Sequence, residues 1–363
     1  MRRHQQRGVA LLIVLMIVAL VSVLATEMGT RLQLQVQRVM NLKNNNQAYW
    51  YAIGAEAFAR HSVQTLMEQT GERIALDQPW SQQFAYPVEN GAIEAQLEDM
   101  QSCFNLNALV AEPQSGGGNQ PNNNNQIASN NASGTSNNNN NTANAGRPRG
   151  PNNAGDNITD EMTAFMQMLT VAELQISSYE AETLRDSLAD WLDEDSQMRP
   201  YGAEDADYEA KSPPYLAANR LMTSQSELRL VNGIKPQWMR KLLPLVCVIP
   251  EKDSLTINVN TLTEERAPVL AGLTGLDMAQ ARSLISGRPA NGWETPADFL
   301  AEPVINALNL NDTQRSWFSV STQYFILHTK AHYNNSSFTM TSVLSASSSA
   351  PAKVIRREFS GVD

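Results

Sequence analysis

Residues 7–29, RGVALLIVLMIVALVSVLATEMG, decide the architecture. From Val9 to Ala25 no side chain is charged and only Ser22 is polar, and the run closes at Thr26 and Glu27. A helix rises about 1.5 Å per residue, so a run of this length suits a hydrocarbon core about 30 Å thick. Arg2, Arg3 and Arg7 precede it, and positive flanks stay cytoplasmic, which places everything after the span outside the cytoplasm. A cleaved secretory signal is the alternative. Against it stand the length of the run, the lack of a closing Ala-x-Ala pattern, and a helical periodicity that continues through Leu32, Val36, Val39 and Met40.

Working outward, the chain from Gly29 to about Thr70 avoids proline and keeps helical spacing, so the span is expected to run into one long helix. Trp80 to Glu89 and Gly91 to Leu97 alternate as strands around Asn90-Gly91, a hairpin signal, and Ser102 to Leu109 extends the pattern. Trp317 to His332, Ser336 to Ser345 and Val354 to Phe359 are again strand-like, with Asn334-Asn335 as a turn. Helices are expected over Asp160 to Met168, Ala172 to Leu192, Ser224 to Val231, Lys235 to Leu243, Glu264 to Leu270 and Met278 to Ser286. Strands early and late with helices between predict an α+β fold: an N-terminal transmembrane and long helix, an antiparallel sheet and a large inserted α-helical domain. The expected divisions are a leader at 1–8, a span at 9–29, helix and first strands at 30–110, an Asn-rich loop at 111–158, the insert at 159–312 and terminal strands at 313–363. The loop is almost devoid of apolar side chains and cannot offset its ordering entropy, so it is expected to be disordered.

With 363 residues and 42% hydrophobic content the chain can bury a good core. Its net charge of -10 disfavours nucleic acid and anionic lipid as partners. Much of that charge is concentrated: Asp186 to Glu209 carries nine carboxylates against Arg199 alone. Such a run is either a solvated acidic face or a set of hard oxygen ligands of the kind calcium takes, and the interleaved Trp191, Leu192 and Tyr208 require part of it to pack. The two cysteines, Cys103 and Cys247, are too few for a zinc site or a disulfide framework; outside the cytoplasm a single disulfide between them is expected, with two buried free thiols as the alternative. Ile257-Asn-Val-Asn-Thr-Leu262, followed by Leu270 to Leu276 and Ala281 to Ile285, resembles a helix-hairpin-helix, a motif that often holds DNA phosphates. The adjacent Asp277 and the acidic surroundings favour a packing role. Phe104-Asn-Leu-Asn-Ala-Leu109 echoes its opening, which predicts two related units in the insert, each with Asn residues suited to capping a helix start. His4, His61, His328 and His332 form no catalytic set, and no enzyme is expected.

Taken together, the Arg7-Gly8 junction, the span lacking a glutamate, the hairpin, the acidic helical insert and the terminal strands resemble the minor pseudopilins of type II secretion, in particular the protein K family. The resemblance implies cleavage after Gly8 by prepilin peptidase and methylation of the new N-terminal Val9. Val9 stands where most pilins have Phe, and Ile13 where most have Glu. A buried glutamate there is thought to meet the N-terminal amine of a neighbouring subunit, so Ile13 suits a subunit with none above it. The implied function is a tip subunit that starts pseudopilus assembly with the minor pseudopilins I and J and other pseudopilins, anchored in the inner membrane with its body in the periplasm, and in contact with secreted substrates. A pilus-associated DNA-binding protein is the rival. The resemblance also implies calcium in the insert, with Asp193, Asp195, Glu204, Asp205 and Asp207 as ligands.

Overall fold

A computed structural model describes residues 9–70, 73–110 and 158–360. Gly8 with the rest of the expected leader, and the Asn-rich segment from 111 to 157, lie outside the described residues. Helix α1 (Val9–Thr70) is continuous over 62 residues. Every residue up to Lys43 is exposed, and the apolar part, of mean hydropathy 3.0, is long enough to cross a membrane. Further on, Ala48, Ala52, Ala55, Glu56, Ala59, Val63 and Met67 are buried at helical spacing, the small alanines letting the helix approach what it packs on.

In chain order the strands are β1 (Phe84–Val88), β2 (Gly91–Asp99), β3 (Phe104–Asn105), β4 (Val246–Cys247), β5 (Ile257–Asn258), β6 (Phe318–Ser319), β7 (Tyr324–Tyr333), β8 (Ser336–Ser347) and β9 (Ala350–Ser360). Five form an antiparallel sheet in the order β1-β2-β7-β8-β9. Both expected hairpins are present, and their turns place Asn90 and Asn334 at φ 59° and 49°, a region asparagine tolerates. The second half of α1 lies on this sheet, joining Ala59, Val63 and Met67 to Phe325, Leu327 and Leu344. Glu56 is buried beneath it. Burial alone would raise its pKa, but Arg357 grips it through two 2.7 Å hydrogen bonds and Ser342 Oγ donates a third, so it falls below the ordinary range.

The insert occupies the chain between β2 and β7 and includes α2 (Asp160–Val171), α3 (Ser178–Leu192), α4 (Asp205–Glu209), α5 (Pro236–Leu242), α6 (Ala267–Thr274) and α7 (Met278–Ser286), followed by shorter helices. All eight residues of α6 are buried, and Gly272 brings it so close to α2 that an added Cβ would stand 2.8 Å from the Ala164 carbonyl oxygen. The two echoing segments fold alike. Each makes a short parallel pairing, β3 with β4 and β5 with β6. In each the second asparagine clamps one distant residue by its backbone: Asn107 donates to and accepts from Met222, and Asn260 does the same with Trp293. These asparagines join loops rather than capping helices, the role expected of them. Cys103 and Cys247 are disulfide-bonded beside the first pairing, Cα to Cα 5.7 Å. The bond closes a loop of sequence separation 144, worth about 4 to 5 kcal/mol by loop entropy.

Several boundaries differ from expectation. Ser102 to Leu109 is a strand only at Phe104–Asn105 and then a tight 3-10 turn. The helix expected from Ala172 starts at Ser178, because Glu173 and Gln175 take positive φ and Ser177 with Glu180 forms a capping box. The strand expected from Trp317 is interrupted, since the Thr322 hydroxyl is drawn to Asp99.

Asp99 ties sheet to insert. It ends β2, is buried, and its carboxylate accepts from Gln101 N–H at 2.6 Å, Asn258 Nδ2 at 3.2 Å, Thr261 Oγ1 at 2.5 Å and Thr322 Oγ1. Arg266 closes the same junction, donating to Glu98 and the Pro244 carbonyl at 3.1 Å and to Ser102 Oγ. Burial pushes the Asp99 carboxyl up to about 6 against the pull of these donors. Its contribution to stability is therefore fully present below its ordinary value of 3.8 and is lost as the pH rises through about 6. Urea melts across that window should show the parent losing stability relative to Asp99→Asn, and parallel curves would contradict the assignment. Asp99→Ala takes this acceptor from four buried donors and should cost about 3 kcal/mol at about pH 4, the cost shrinking as the pH rises through about 6.

Candidate functional site

The acidic segment begins inside α3. Asp190, Trp191 and Leu192 form its last turn and are buried, and Asp193 is its C-cap. Carboxylates at a helix C-terminus oppose the negative end of the helix dipole, so this placement calls for compensating positive charge. Arg199 supplies some. The chain turns back after Asp195, whose Oδ1 accepts from Gln197 N–H at 2.8 Å, and Arg199 Nη1 reaches Asp190 at 2.7 Å and Asp193 at 2.5 Å. Gly202 passes so close that a Cβ would stand 1.8 Å from Asp190 Oδ2, so no side chain fits there. The chain then enters α4 with Glu204 at its N-cap. Trp191, Tyr208 and Tyr215 stack beneath in edge and tilted contacts of 5.1 to 6.4 Å, which fixes α3 against α4.

This packing brings three of the five expected ligands together. Oxygens of Asp193, Asp195 and Glu204 lie within 4.8 Å of one another. Asp205 and Asp207 fall outside that group: Asp205 accepts from Ala217 N–H at 3.0 Å and Asp207 from Glu204 N–H at 3.1 Å. Asp190 and Arg199, not among the expected residues, stand next to the group. The spacing of Asp190 and Asp193, three residues apart at a helix end, was a legible sign that both face one way.

Glu204 is the informative member. Both of its carboxylate oxygens are buried without a hydrogen-bond donor. Burial, and then the charges of Asp190, Asp193, Asp205 and Asp195, push its carboxyl up to about 7. Asp190 is pushed up to about 6, by burial first, despite Arg199. Three carboxylates with no His or Cys among them form a hard, oxygen-only donor set, which suits calcium or magnesium rather than zinc.

The helix-hairpin-helix offers no comparable site. Its α7 N-terminus is occupied by Asp277, which accepts from Gln280 N–H at 2.8 Å, and Arg288 turns inward to donate to the Leu262 carbonyl at 2.8 Å. The hairpin packs the insert. His328 and His332 lie on β7, where His328 Nε2 is 3.8 Å from Glu98.

Comparison with known proteins agrees with this architecture. Two models described as type II secretion system protein K match residues 102–251 and 257–321. The type II secretion system protein K of Dickeya chrysanthemi is 37% identical, the match covering 99% of this chain and 98% of that one. That of Klebsiella pneumoniae is 34% identical over 94% and 93%. Among solved structures, the GspK-GspI-GspJ complex of the enterotoxigenic Escherichia coli type 2 secretion system contains a chain that superposes with TM-score 0.69 at 28% identity, covering 89% of this chain and 99% of that one.

An orphaned carboxylate predicts its own test. With divalent ions chelated, at about pH 8, Glu204→Gln should be more stable than the parent by about 1 to 3 kcal/mol. Because the Glu204 value is about 7, above the ordinary 4.5, that advantage should shrink as the pH falls through 7. Chemical melts of the two chains measure both, and a less stable variant at pH 8 would refute the assignment.

Proposed function

Since this chain belongs to the protein K family of the type II secretion system, a family of structural minor pseudopilins rather than enzymes, we propose that it is the subunit placed first at the pseudopilus tip, starting assembly with the minor pseudopilins I and J. The observation that carries this reading is α1. Its surface from Val9 to Lys43 packs on nothing among the described residues, although Leu32, Val36, Val39 and Met40 lie beyond the apolar run and are 49% to 64% exposed. An apolar row of this kind outside the membrane is stable only against other apolar surfaces, and the matching helices of neighbouring pseudopilins have the right form. Ile13 supports the terminal position. It is an apolar side chain where a carboxylate would seek a partner above, and a carboxylate left unpaired in the bilayer costs several kcal/mol.

On the same reading, Val9 is the mature N-terminus after cleavage behind Gly8 by prepilin peptidase and carries the methyl group, the span holds the chain in the inner membrane, and the body lies in the periplasm, where it meets secreted proteins. The disulfide suits an oxidising compartment. The inward Arg288 and the acid-capped α7 disfavour the DNA-binding alternative.

Calcium belongs to this proposal. Asp193, Asp195 and Glu204 would hold it, with Asp205 and Asp207 adding negative field, and the two bare oxygens of Glu204 are what such an ion satisfies. It would supply no chemistry beyond charge compensation and a crosslink between α3 and α4.

Two measurements test these claims. The body from about residue 30 onward, mixed with the I and J subunits at micromolar concentration, should elute as one ternary complex, and elution of three separate components would undermine the tip assignment. Calcium at about a hundred times its Kd should stabilise the chain by about 2.7 kcal/mol over chelated protein, with the gain abolished in Glu204→Gln. An unchanged melting midpoint would dispose of the calcium site.

A further inference from the structure

Strand β2 is longer than its neighbour on one side. β1 pairs with it only as far as Phe84 opposite Ala95, whereas β7 pairs with it through Asp99. Gln96, Leu97 and Glu98 therefore have a strand on the β7 side and, among the described residues, none on the other, while the Asp99 carbonyl beyond them is taken by Ser102 Oγ and Arg266. An open strand edge of this kind is satisfied by water or by another extended main chain.

The edge lies in a cleft. A space of about 470 Å³ is bordered by Gln96–Asp99 together with Leu76, Trp80 and Ser81, which precede β1, and Thr261, Thr263 and Arg266 of the insert. Trp80 and Leu97 also border a second, apolar groove of about 450 Å³ between α1 and the sheet, floored by Phe58, Ala59 and Leu327. The polar cleft carries Glu98, Asp99 and Glu265 against the single guanidinium of Arg266, which is already spent on Glu98, Ser102 and the Pro244 carbonyl.

The geometry points to a binding slot for an extended segment of another protein, added as a short strand to the open edge of β2. The edge dictates the sequence pattern such a segment must have. Side chains alternate along β2, with Gln96 and Glu98 on the face of His328 and Leu97 on the face of the apolar groove. An added residue shares the face of the one it opposes, so the occupant presents an apolar side chain opposite Leu97 and cationic ones opposite Gln96 and Glu98. The ligand class is thus a basic–apolar–basic stretch of three or four residues free of proline, held by main-chain hydrogen bonds and selected by alternate side chains. This slot is separate from the acidic site, and its fate does not depend on the tip assignment.

The probe is the peptide fluorescein-Ser-Lys-Val-Lys-Val-Ser-amide, titrated by anisotropy against the full chain in detergent micelles at neutral pH. Two further peptides carry N-methyl groups, one on both lysine nitrogens and the other on both valine nitrogens. A strand added to an edge uses the N–H groups of alternate residues only, so one methylated isomer should bind like the parent and the other at least about tenfold more weakly, a difference of about 1.4 kcal/mol. A contact made through charge alone would treat the isomers equally. Glu98→Gln with Glu265→Gln should weaken the parent peptide by about tenfold, with its melting midpoint recorded to show that the fold is kept. Equal binding of the two isomers, or no binding at about 1 mM peptide, would overturn the proposal.

Discussion

The structure turns on a carboxylate buried where one domain is spliced into another. An insert that leaves a sheet at one strand end and returns beside it must hold both crossings in register, or the two cores could rock on a pair of flexible linkers. Asp99 does this by accepting from donors on both crossings: Gln101 on the way out, Asn258 and Thr261 within the insert and Thr322 on the way back. Neutral donors suffice because each is itself fixed, by β5, by the following turn or by the β7 entry. The disulfide four residues further on clips the outgoing chain to β4, so the exit is closed covalently as well as by hydrogen bonds. Removing the carboxylate would release a geometry rather than a single contact, as expected of a fully connected polar network.

Three of the buried carboxylates show how differently such a charge can be accommodated. Glu56 meets a guanidinium in bidentate geometry and is lowered. Asp99 meets a shell of neutral donors and settles at about 6. Glu204 meets no donor, faces four other acids, and is raised to about 7. The first two arrangements are complete within the chain. The third is incomplete, because Arg199 satisfies Asp190 and Asp193 and leaves nothing for Glu204. This contrast, rather than the density of acids, separates a cation site from a solvated acidic face.

Much of the fold was legible because it rests on local rules. An uncharged run sets the span, helical periodicity extends it, and asparagine at the tips of two alternating stretches marks both hairpins. The cysteine pair followed from compartment. What was not legible depended on distant partners. Nothing near Thr322 shows that its hydroxyl will leave the strand for Asp99, and nothing near Phe104 shows that its strand will stop after two residues because the paired segment at Val246 is equally short. The acidic site was half readable. Its location follows from composition, but its membership depends on how the chain around α4 folds: Asp205 is committed to the distant Ala217 N–H, and Asp207 to the Glu204 N–H in the capping box of α4 itself.

The repeated Asn-x-Asn openings explain how so large an insert can hang from so small a junction. Each unit folds around an asparagine that clamps the backbone of a residue far along the chain, Met222 in the first and Trp293 in the second, so each closes its own loop before it meets the sheet. The first unit is then sealed by the disulfide. The second is joined to the returning chain through β5 and β6, with Asn258 spanning Ile74, Asp99 and Thr322. Because Gly272 lets α2 and α6 touch almost backbone to backbone, the two closed units share one core. The sheet therefore has to orient one shared core, and Asp99 with Arg266 at the junction, joined by the bonds of Ser224 and Thr223 to Glu358 and Arg356 on β9, do so without involving α1 from Val9 to Lys43.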